Sequence, residues 1–416
     1  MQVFKFGGLA LIDDDSIRNA AKIIAKNIEK NLLVVVSATG KSTRLLCRYA
    51  EASYYKHDDR AKFFRIFRDN HYEILKGLSI DGEPFNRIAR LIDEAAVVAA
   101  NPCATYSCFF DEIISYGELV SSKILSAYLN KSGITNTWAD IREILLTDNN
   151  YNAANIIFNR SREKVKKLAG HKLVITQGFI GRSEEGFTST LGFEGSDYSA
   201  TLLASFLEAE KVVIWKDVPG IMSADPRIEA TARKLGSLSY EEAIEYAYAG
   251  AKVLHPKCIK PVQNKNIPLE IRSFLHPNNK GSIIQAKNGR HDQAVIIQNS
   301  NMSLVSICTK DFSFILENHL CKLFGILTNA GTAIQMLHHT AISVDICVEQ
   351  ENLNIDRIKD SLADNLLFRV RNGLSLLNIF NYSDQIIREK TRGKKILIEN
   401  RAKNIYRVLF EPENDL

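Results

Sequence analysis

The sequence predicts an α/β fold built on a mainly parallel sheet, followed by a smaller ferredoxin-like region. Three observations carry that prediction. "NLLVVVSA" (31–38) is a continuous apolar run of strand length, the pattern of a strand buried on both faces. Strand-like and helix-like stretches then alternate through about residue 282. From Ser303 the order changes to something close to two interleaved βαββαβ units.

In chain order, "QVFKF" (2–6) alternates like a strand and meets Gly7-Gly8. Ser16 stands where it caps an amphipathic helix, "SIRNAAKIIAKNIEK", before the apolar run. A β-α-β unit with right-handed crossover puts both strand-ending loops at one sheet edge. Residues 43–135 read as mostly helical: "EASYYKHDDRAKFFRIFRDNHYEILKGL", "FNRIARLIDEAAVVAA" and "FFDEIISYGELVSSKILSAYLNK". Strand signals return at "NTWAD", "KLVITQGFIG", "GFTST" and "KVVIWKDV", with helices at about 152–168 and 197–208. "IPLEIRSF" ends the α/β pattern, and "HPNNKG" is turn-rich. The tail then reads β "LVSICT", α "LENHLCKLFGILTNAG", β "AIQMLHH", β "ISVDICVE", α "IDRIKDSLAD", β "LSLLNIFN", α "SDQIIREKTRG", β "KKILIEN", β "IYRVLFE". The expected division is 1–282 and 300–416. Units of the second kind bind a small ligand or pair with another copy, and pairing is the plainer expectation.

Bulk composition excludes several classes. The 416 residues carry a net charge of +5, 45% hydrophobic and 24% charged residues, which is ordinary globular composition and no nucleic-acid footprint. The apolar runs are far shorter than the roughly 18 residues of a membrane span, and "MQVFKFGG" carries no signal-like segment. Seven cysteines are scattered, and Cys103 and Cys108, five apart, match no zinc knuckle. Reduced thiols in a cytoplasmic protein are expected.

Four stretches point to phosphate chemistry. In "KFGG", Lys5 and the backbone of Gly7 and Gly8 offer an ammonium and N–H donors, although a strand-terminal lysine is often merely solvated. "VVVSATGKSTRLL" takes a strand through Ser37, Gly40 and Lys41 into a helix, without Walker spacing. "LGFEGSDYSA" sets glycines around Phe193 before a helix start, an anion-binding arrangement in which Asp197 otherwise reads as a cap. "WKDVPGIMSADPRI" places Lys216, Asp217 and Arg227 on turns after a strand; a surface hairpin explains it equally well.

Taken in order, "KFGG", "VVSATGKST", "SYGELVSSKIL", "TQGFIG", "LGFEGSDYSA", "WKDVPGIMSADPR" and "GAKVLHPK" resemble the aspartate kinases over essentially the whole chain. The tail, with "KDFSFI" and "AISVDICVE", looks like their ACT regulatory domains. The resemblance implies the amino-acid kinase fold, a mainly parallel sheet sandwiched by helices, with tandem ACT domains. It implies transfer of the γ-phosphoryl of ATP, with Mg²⁺, to the side-chain carboxylate of L-aspartate, in a monofunctional enzyme with no dehydrogenase extension. By resemblance Lys5 neutralises the phosphoryl group, and Gly7 and Gly8 donate to it. Asp197 orients Lys5, the metal region or the substrate. Glu118 binds the substrate ammonium, and Ser37, Gly40, Phe193 and Ser196 fall in substrate loops. Lys216, Asp217, Met222, Arg227 and Lys252 hold the nucleotide, no protein metal ligand is implied, and His255 is structural. An amino-acid effector, lysine or threonine, is implied for the ACT region, and a homodimer or larger homo-oligomer is expected.

The sequence also departs from that family. Leu9 and Ala10 replace the usual Thr or Ala and Ser, Arg44 replaces an Asn, and Phe193 replaces the Arg that clamps a substrate carboxylate. Arg44, from the neighbouring loop, is a candidate to replace the lost charge. Two alternatives therefore stand beside an active enzyme: a catalytically weakened regulatory subunit, and a kinase with an altered acceptor.

Overall fold

The computed structural model describes residues 1–103, 105–251, 253–286, 293–310, 314–315, 317–329, 331–352 and 366–412. The chain divides into two compact units. The first takes Met1–Ile221, Lys234–Ala247 and Lys252–Gly289; the second takes Met222–Arg233, Tyr248–Ala251 and Arg290–Leu416.

The strands of the first unit are β1 (Gln2–Phe6), β2 (Leu32–Val36), β3 (Thr137–Trp138), β4 (Leu146–Thr147), β5 (Leu173–Gln177), β6 (Ile180–Ser183), β7 (Thr188–Thr190), β8 (Lys211–Lys216), β9 (Ser237–Ser239), β10 (Leu269–Ser273) and β11 (Ser282–Gln285). Eight form one sheet in the order β3-β5-β2-β1-β8-β10-β11-β9, and β4-β6-β7 form a small second sheet. The large sheet is parallel from β3 to β10, and β11 runs antiparallel to β10. Every residue of β2 is buried, as its unbroken apolar run requires. Trp215 is wholly buried, stacked 6.0 Å from Phe6 and edge-on 5.7 Å from Phe4.

Strand register brings the polar ends together. Lys5 pairs with Val35 and Ile214, so β1, β2 and β8 end together and deliver Lys5, Ser37 and Lys216 to one edge. Helices connect them: α1 (Asp14–Ala25), α2 (Ser42–Tyr54), α3 (Arg60–Gly77), α4 (Gly82–Ala100), α5 (Tyr106–Lys131), α6 (Phe158–Val165), α7 (Gly195–Leu207), α8 (Tyr240–Tyr248) and α9 (Pro256–Gln263). Most of α5 is buried, and its Gly117 lets it lie close to the loop after β2: a Cβ there would sit 2.9 Å from Ala38 Cβ.

Several local expectations are corrected. Asp13, not Ser16, caps α1, accepting the Ser16 N–H at 2.8 Å. The helical stretch through 51–78 is two helices broken at 55–59, where "KHDD" holds polar side chains in a turn with Lys56 at φ 58°. The helix expected at 152–168 shortens to α6, because Asp148 draws in the backbone N–H groups of Asn150 and Asn155. The α/β sheet does not end at "IPLEIRSF": the turn through 276–281 reverses the chain into β11, which carries β9 as a further strand.

The second unit contains β12 (Val295–Thr309), α10 (Glu317–Asn329), β13 (Ile334–His339), β14 (Ser343–Glu349), β15 (Leu366–Phe380), α11 (Asp384–Thr391), β16 (Lys395–Arg401) and β17 (Ile405–Glu411). They make one antiparallel sheet, β13-β14-β12-β15-β17-β16. The short strands expected at "LVSICT" and "LSLLNIF" are each fifteen residues long and pair along their length, so the two ferredoxin-like halves share one sheet. Each half has its own apolar core, one with Leu323 and Leu327 of α10 and the other with Ile387 of α11. The helix expected at "IDRIKDSLAD" lies outside the described residues, as does part of "KDFSFI". Within this unit Ile296 N–H donates to Ser223 O at 2.7 Å, and Asn299 Nδ2 donates to Ala249 O at 2.7 Å.

Candidate active site

A buried ion triad sits at the edge where β1 and β8 end. Lys5 Nζ lies 2.6 Å from Asp197 Oδ1, and Lys216 Nζ lies 3.1 Å from Asp197 Oδ2. Asp197 is 2% exposed and Lys5 7%. Burial pushes the Asp197 carboxyl up, but the two ammonium groups outweigh it and hold the pKa below the usual carboxylate range. Burial lowers the Lys216 pKa, and Asp197 more than restores it. Asp197 therefore stays charged, and its side chain is not the helix cap that its position suggests. Lys216 Nζ also donates to the Val253 carbonyl.

Two glycine-bearing loops meet beside this triad. Gly40 N–H donates to Gly8 O at 3.0 Å, and a Cβ on Gly8 would lie 2.7 Å from Ala38 O, so only glycine allows the approach. Glu118 of α5 lies under the β2 loop, 3% exposed. One of its oxygens accepts the Ala38 N–H at 3.4 Å, and the other, Oε2, has no partner. Burial raises its pKa to about 8, with only partial relief from hydrogen bonds and Lys5. A buried carboxyl with an unpartnered oxygen and a raised pKa is a functional-site candidate, able to accept a hydrogen bond from a bound donor.

The third loop is strained. Glu194 adopts φ 52° and Phe179 φ 71°, both unusual for residues with large side chains. Close packing explains the neighbouring glycines: a Cβ on Gly195 would lie 2.8 Å from Phe179 Cδ2, and one on Gly178 2.7 Å from Ser196 Cα. The Glu194 carboxylate accepts the His255 N–H at 2.6 Å, which latches the loop to α9. His255 itself caps α9 through its ring, as a structural residue. Phe193 is 83% exposed, its ring 6.3 Å from that of His255.

These parts line one cavity of about 560 Å³. It brings together Lys5, Gly8, Ser37, Gly40, Glu118, Phe193, Ser196, Asp197 and Lys216. Gly7 stands just behind: a Cβ there would be 3.6 Å from Lys5 Nζ. Asp217 is exposed and does not line the cavity. Met222 and Arg227 fall in the second unit, where the exposed Arg227 pairs with Asp225 at 2.6 Å. Lys252 lies outside the described residues. Arg44 is exposed and does not line the cavity either.

The sequence reading missed Thr43, Cys47, Phe110, Ile114, Asn152, Phe179 and Thr190, all in the lining. Thr43 and Cys47, four apart on α2, are legible from helical spacing once the loop before them is placed in the site; Asn152 and Thr190 carry no signal. Among the lining residues the cations are Lys5 and Lys216, and both pair with Asp197. Among the described residues no three His, Cys, Asp or Glu side chains are grouped to hold a metal ion. The site's charged Asp197 has a lysine on each oxygen, so these residues do not fit as a metal cage.

A parallel sheet whose strand ends gather paired lysines, glycine loops and a buried carboxylate defines a phosphate-handling enzyme of α/β type. Residues 1–273 match the amino acid kinase family. The chain belongs to that family, in its aspartokinase branch. It is 31% identical over 361 residues to the lysine-sensitive aspartokinase 3 of Escherichia coli, across 83% of this chain and 78% of that one. Against the chloroplastic bifunctional aspartokinase/homoserine dehydrogenase 2 of Zea mays it is 29% identical, spanning 90% of this chain but 44% of the relative. Among solved structures, E. coli aspartokinase III in complex with aspartate and ADP is similar at a TM-score of 0.86 and 27% identity, over 100% of this chain and 97% of that one. The lysine and aspartate complex of that enzyme gives 0.81 at 27% identity, over 99% and 95%.

Proposed function

We propose that this chain transfers the γ-phosphoryl group of ATP to the side-chain carboxylate of L-aspartate. The product is 4-phospho-aspartate, the first intermediate on the way to lysine, threonine and methionine. The observation that carries this reading is the Lys5–Asp197–Lys216 triad in one cavity with a glutamate whose second oxygen is unpartnered.

The nucleophile is a carboxylate, already ionised at neutral pH, so no general base is needed. Catalysis then rests on positioning and charge neutralisation. Lys5 meets the charge that builds on the transferring phosphoryl group, with Lys216 beside it. Asp197, by pairing with both, fixes where they point. Gly7 and Gly8 bring backbone N–H groups to the phosphates. Asp217, Met222, Arg227 and Lys252 are proposed for the rest of the nucleotide on their resemblance alone. Glu118 takes the substrate ammonium, and Ser37, Gly40 and Ser196 border the acceptor. Phe193 stands where the family's carboxylate-clamping Arg is expected, which weakens acceptor capture. Mg²⁺ would be brought by the ATP phosphates, since both oxygens of Asp197 are paired with lysines.

The second unit is proposed to bind an amino-acid effector, lysine or threonine, near Gln335–His339, and to join copies of the chain into a dimer or larger homo-oligomer. The direct test of the reaction is ATP-dependent acyl-phosphate formation trapped with hydroxylamine, run across aspartate and related acids. Trapped product with aspartate above all other acids is expected. No product with any acid would leave only the regulatory-subunit reading.

A further inference from the structure

Asp111 does not line the cavity, yet it holds two pieces of its wall. It is 0% exposed on α5, seven residues before Glu118 and hence on the same helix face. Its Oδ2 accepts the Asn152 N–H at 2.9 Å and the Thr190 N–H at 2.7 Å, and its Oδ1 accepts the Thr190 hydroxyl at 2.9 Å. Asn152 and Thr190 both line the cavity. The two segments are tied to each other as well, since Ala154 N–H donates to Thr190 O at 2.8 Å. The acceptor turn rests on that pair of segments. Thr190 is the last residue of β7, one residue before Leu191 and two before Gly192. A Cβ on Gly192 would lie 3.3 Å from Asn152 O and 3.4 Å from Ala153 Cβ.

We propose that Asp111 is a positioning residue for the phosphoryl acceptor: through Asn152 and Thr190 it sets the turn Gly192–Gly195. This rests on the kinase reading of the cavity. An apolar side chain at this position supplies none of these acceptors: in Ala, both backbone N–H groups and the Thr190 hydroxyl lose their partner together. Asn is the conservative control, because its carbonyl can accept the two N–H groups while its NH₂ donates to the Thr190 hydroxyl. The loss falls on the acceptor wall, whereas Lys5 and the Gly8–Gly40 contact, on other elements, are untouched.

Asp111→Ala is the test and Asp111→Asn the rescuing control expected to stay near wild type, with steady-state kinetics and amide hydrogen exchange on the full chain. In Asp111→Ala the KM for aspartate is expected to rise about tenfold or more while the KM for ATP and kcat stay within about threefold. Exchange is expected to speed up at Asn152, Thr190 and Gly192–Gly195 but not in β1 or α2. If Asp111→Ala does not fold, Thr190→Val and Thr190→Ser replace it. Val removes the hydroxyl bond and should raise the KM for aspartate about threefold; Ser keeps the bond and should match wild type. A lowered Tm with both KM values unchanged, or both KM values rising together, would show a merely structural role and overturn the proposal. If the wild type makes no acyl phosphate, the kinase reading fails by itself, and exchange decides for Asp111: unchanged protection at Asn152, Thr190 and Gly192–Gly195 overturns it.

Discussion

The two large sheets of this molecule bury very different things. The parallel sheet of the first unit collects buried polar groups at the edge where its strands end: Lys5, Thr39, Glu118, Asp197. Thr39 Oγ1 and Glu118 Oε2 have no partner there. The antiparallel sheet of the second unit is packed by three clusters whose buried members include no charged side chain. The contrast arises from connectivity. Parallel strands all end at one edge, so residues far apart in sequence, such as 5, 37 and 216, converge there. Antiparallel strands return on themselves and spread their ends over both edges, leaving the faces to pack. Chemistry is expected from the first arrangement and order from the second.

The sharpest way to break that contrast is at Lys5. Lys5→Ala leaves Asp197 with one lysine and removes the ammonium proposed to meet the transferring phosphoryl group. A fall in kcat of about a thousandfold or more is expected from the loss of such a charge at the transition state. The thermal midpoint should fall too, because a buried carboxylate loses half its compensation. Steady-state kinetics that retain a tenth of wild-type kcat would remove Lys5 from the chemistry.

Glu118→Gln comes next, and its effects have opposite signs. Removing the proposed ammonium receptor should lower kcat/KM for aspartate about a hundredfold. Stability should improve at high pH. The empty site holds this carboxyl at about 8 against an ordinary value of 4.5. Between those pH values the folded chain keeps a proton that the unfolded chain releases, so wild-type stability declines as pH rises through the window. Gln lacks that slope, so the variant should melt above wild type near pH 8 and converge with it near pH 4.5. Binding reports the same group: an arriving ammonium ionises Glu118 and expels close to one proton at neutral pH. Calorimetry in buffers of different ionisation enthalpy measures it, and a proton count near zero would contradict the assignment.

How much of this is legible in the sequence divides along the same line. In the first unit the short motifs report themselves, because glycines and strand-terminal polar residues mark backbone that must approach something. "KFGG", "SATGK" and "GFEGSD" do meet in space. Asp197 is legible as a residue but not in its setting, since a carboxylate in the first turn of a helix reads as a cap until a lysine from another strand is placed beside it. Asn152 is invisible, since it acts through a backbone N–H that any residue supplies, and Thr190 is too, since a strand threonine gives no local sign that its hydroxyl and N–H meet a carboxylate from a distant helix. "DVPGIMSADPR" misleads about place: Met222–Arg233 clusters with the second unit, and no local pattern states to which core a loop belongs. In that unit the strands are legible as elements and not as lengths. β12 and β15 each continue through both halves, and only pairing reveals it.

Phe193 tests whether the acceptor loop, not the triad, limits the first unit. Its ring is exposed at the cavity, and both cations in the lining are already engaged by Asp197. Phe193→Arg should therefore raise kcat/KM for aspartate about tenfold, the worth of one charge-assisted contact. The gain should lie in KM if the guanidinium binds substrate and transition state alike. Arg44→Asn should cost less than about twofold in either background, because Arg44 is exposed and away from the lining. If Arg44→Asn alone abolishes aspartate use, Arg44 already clamps the substrate and the expected gain at Phe193 is void.

The smallest effect is expected in the second unit. Glu229, in the segment Met222–Arg233, pairs with Lys390 of α11, with side chains 21% and 25% exposed. Such a partly buried pair holds a loop in place and touches no reacting atom. Lys390→Met keeps most of the apolar stem and removes the charge. It should lower stability by about 1 kcal/mol, the upper end of the range typical of exposed pairs. The kcat and both KM values, measured without effector, should remain within about twofold of wild type. A double-mutant cycle with Glu229→Gln separates the pair from the loss of packing: the second substitution should add little once the first is made. If Lys390→Met alone changes kcat tenfold, the second unit contributes to the chemistry itself, and the contrast between an edge that reacts and a face that orders no longer holds.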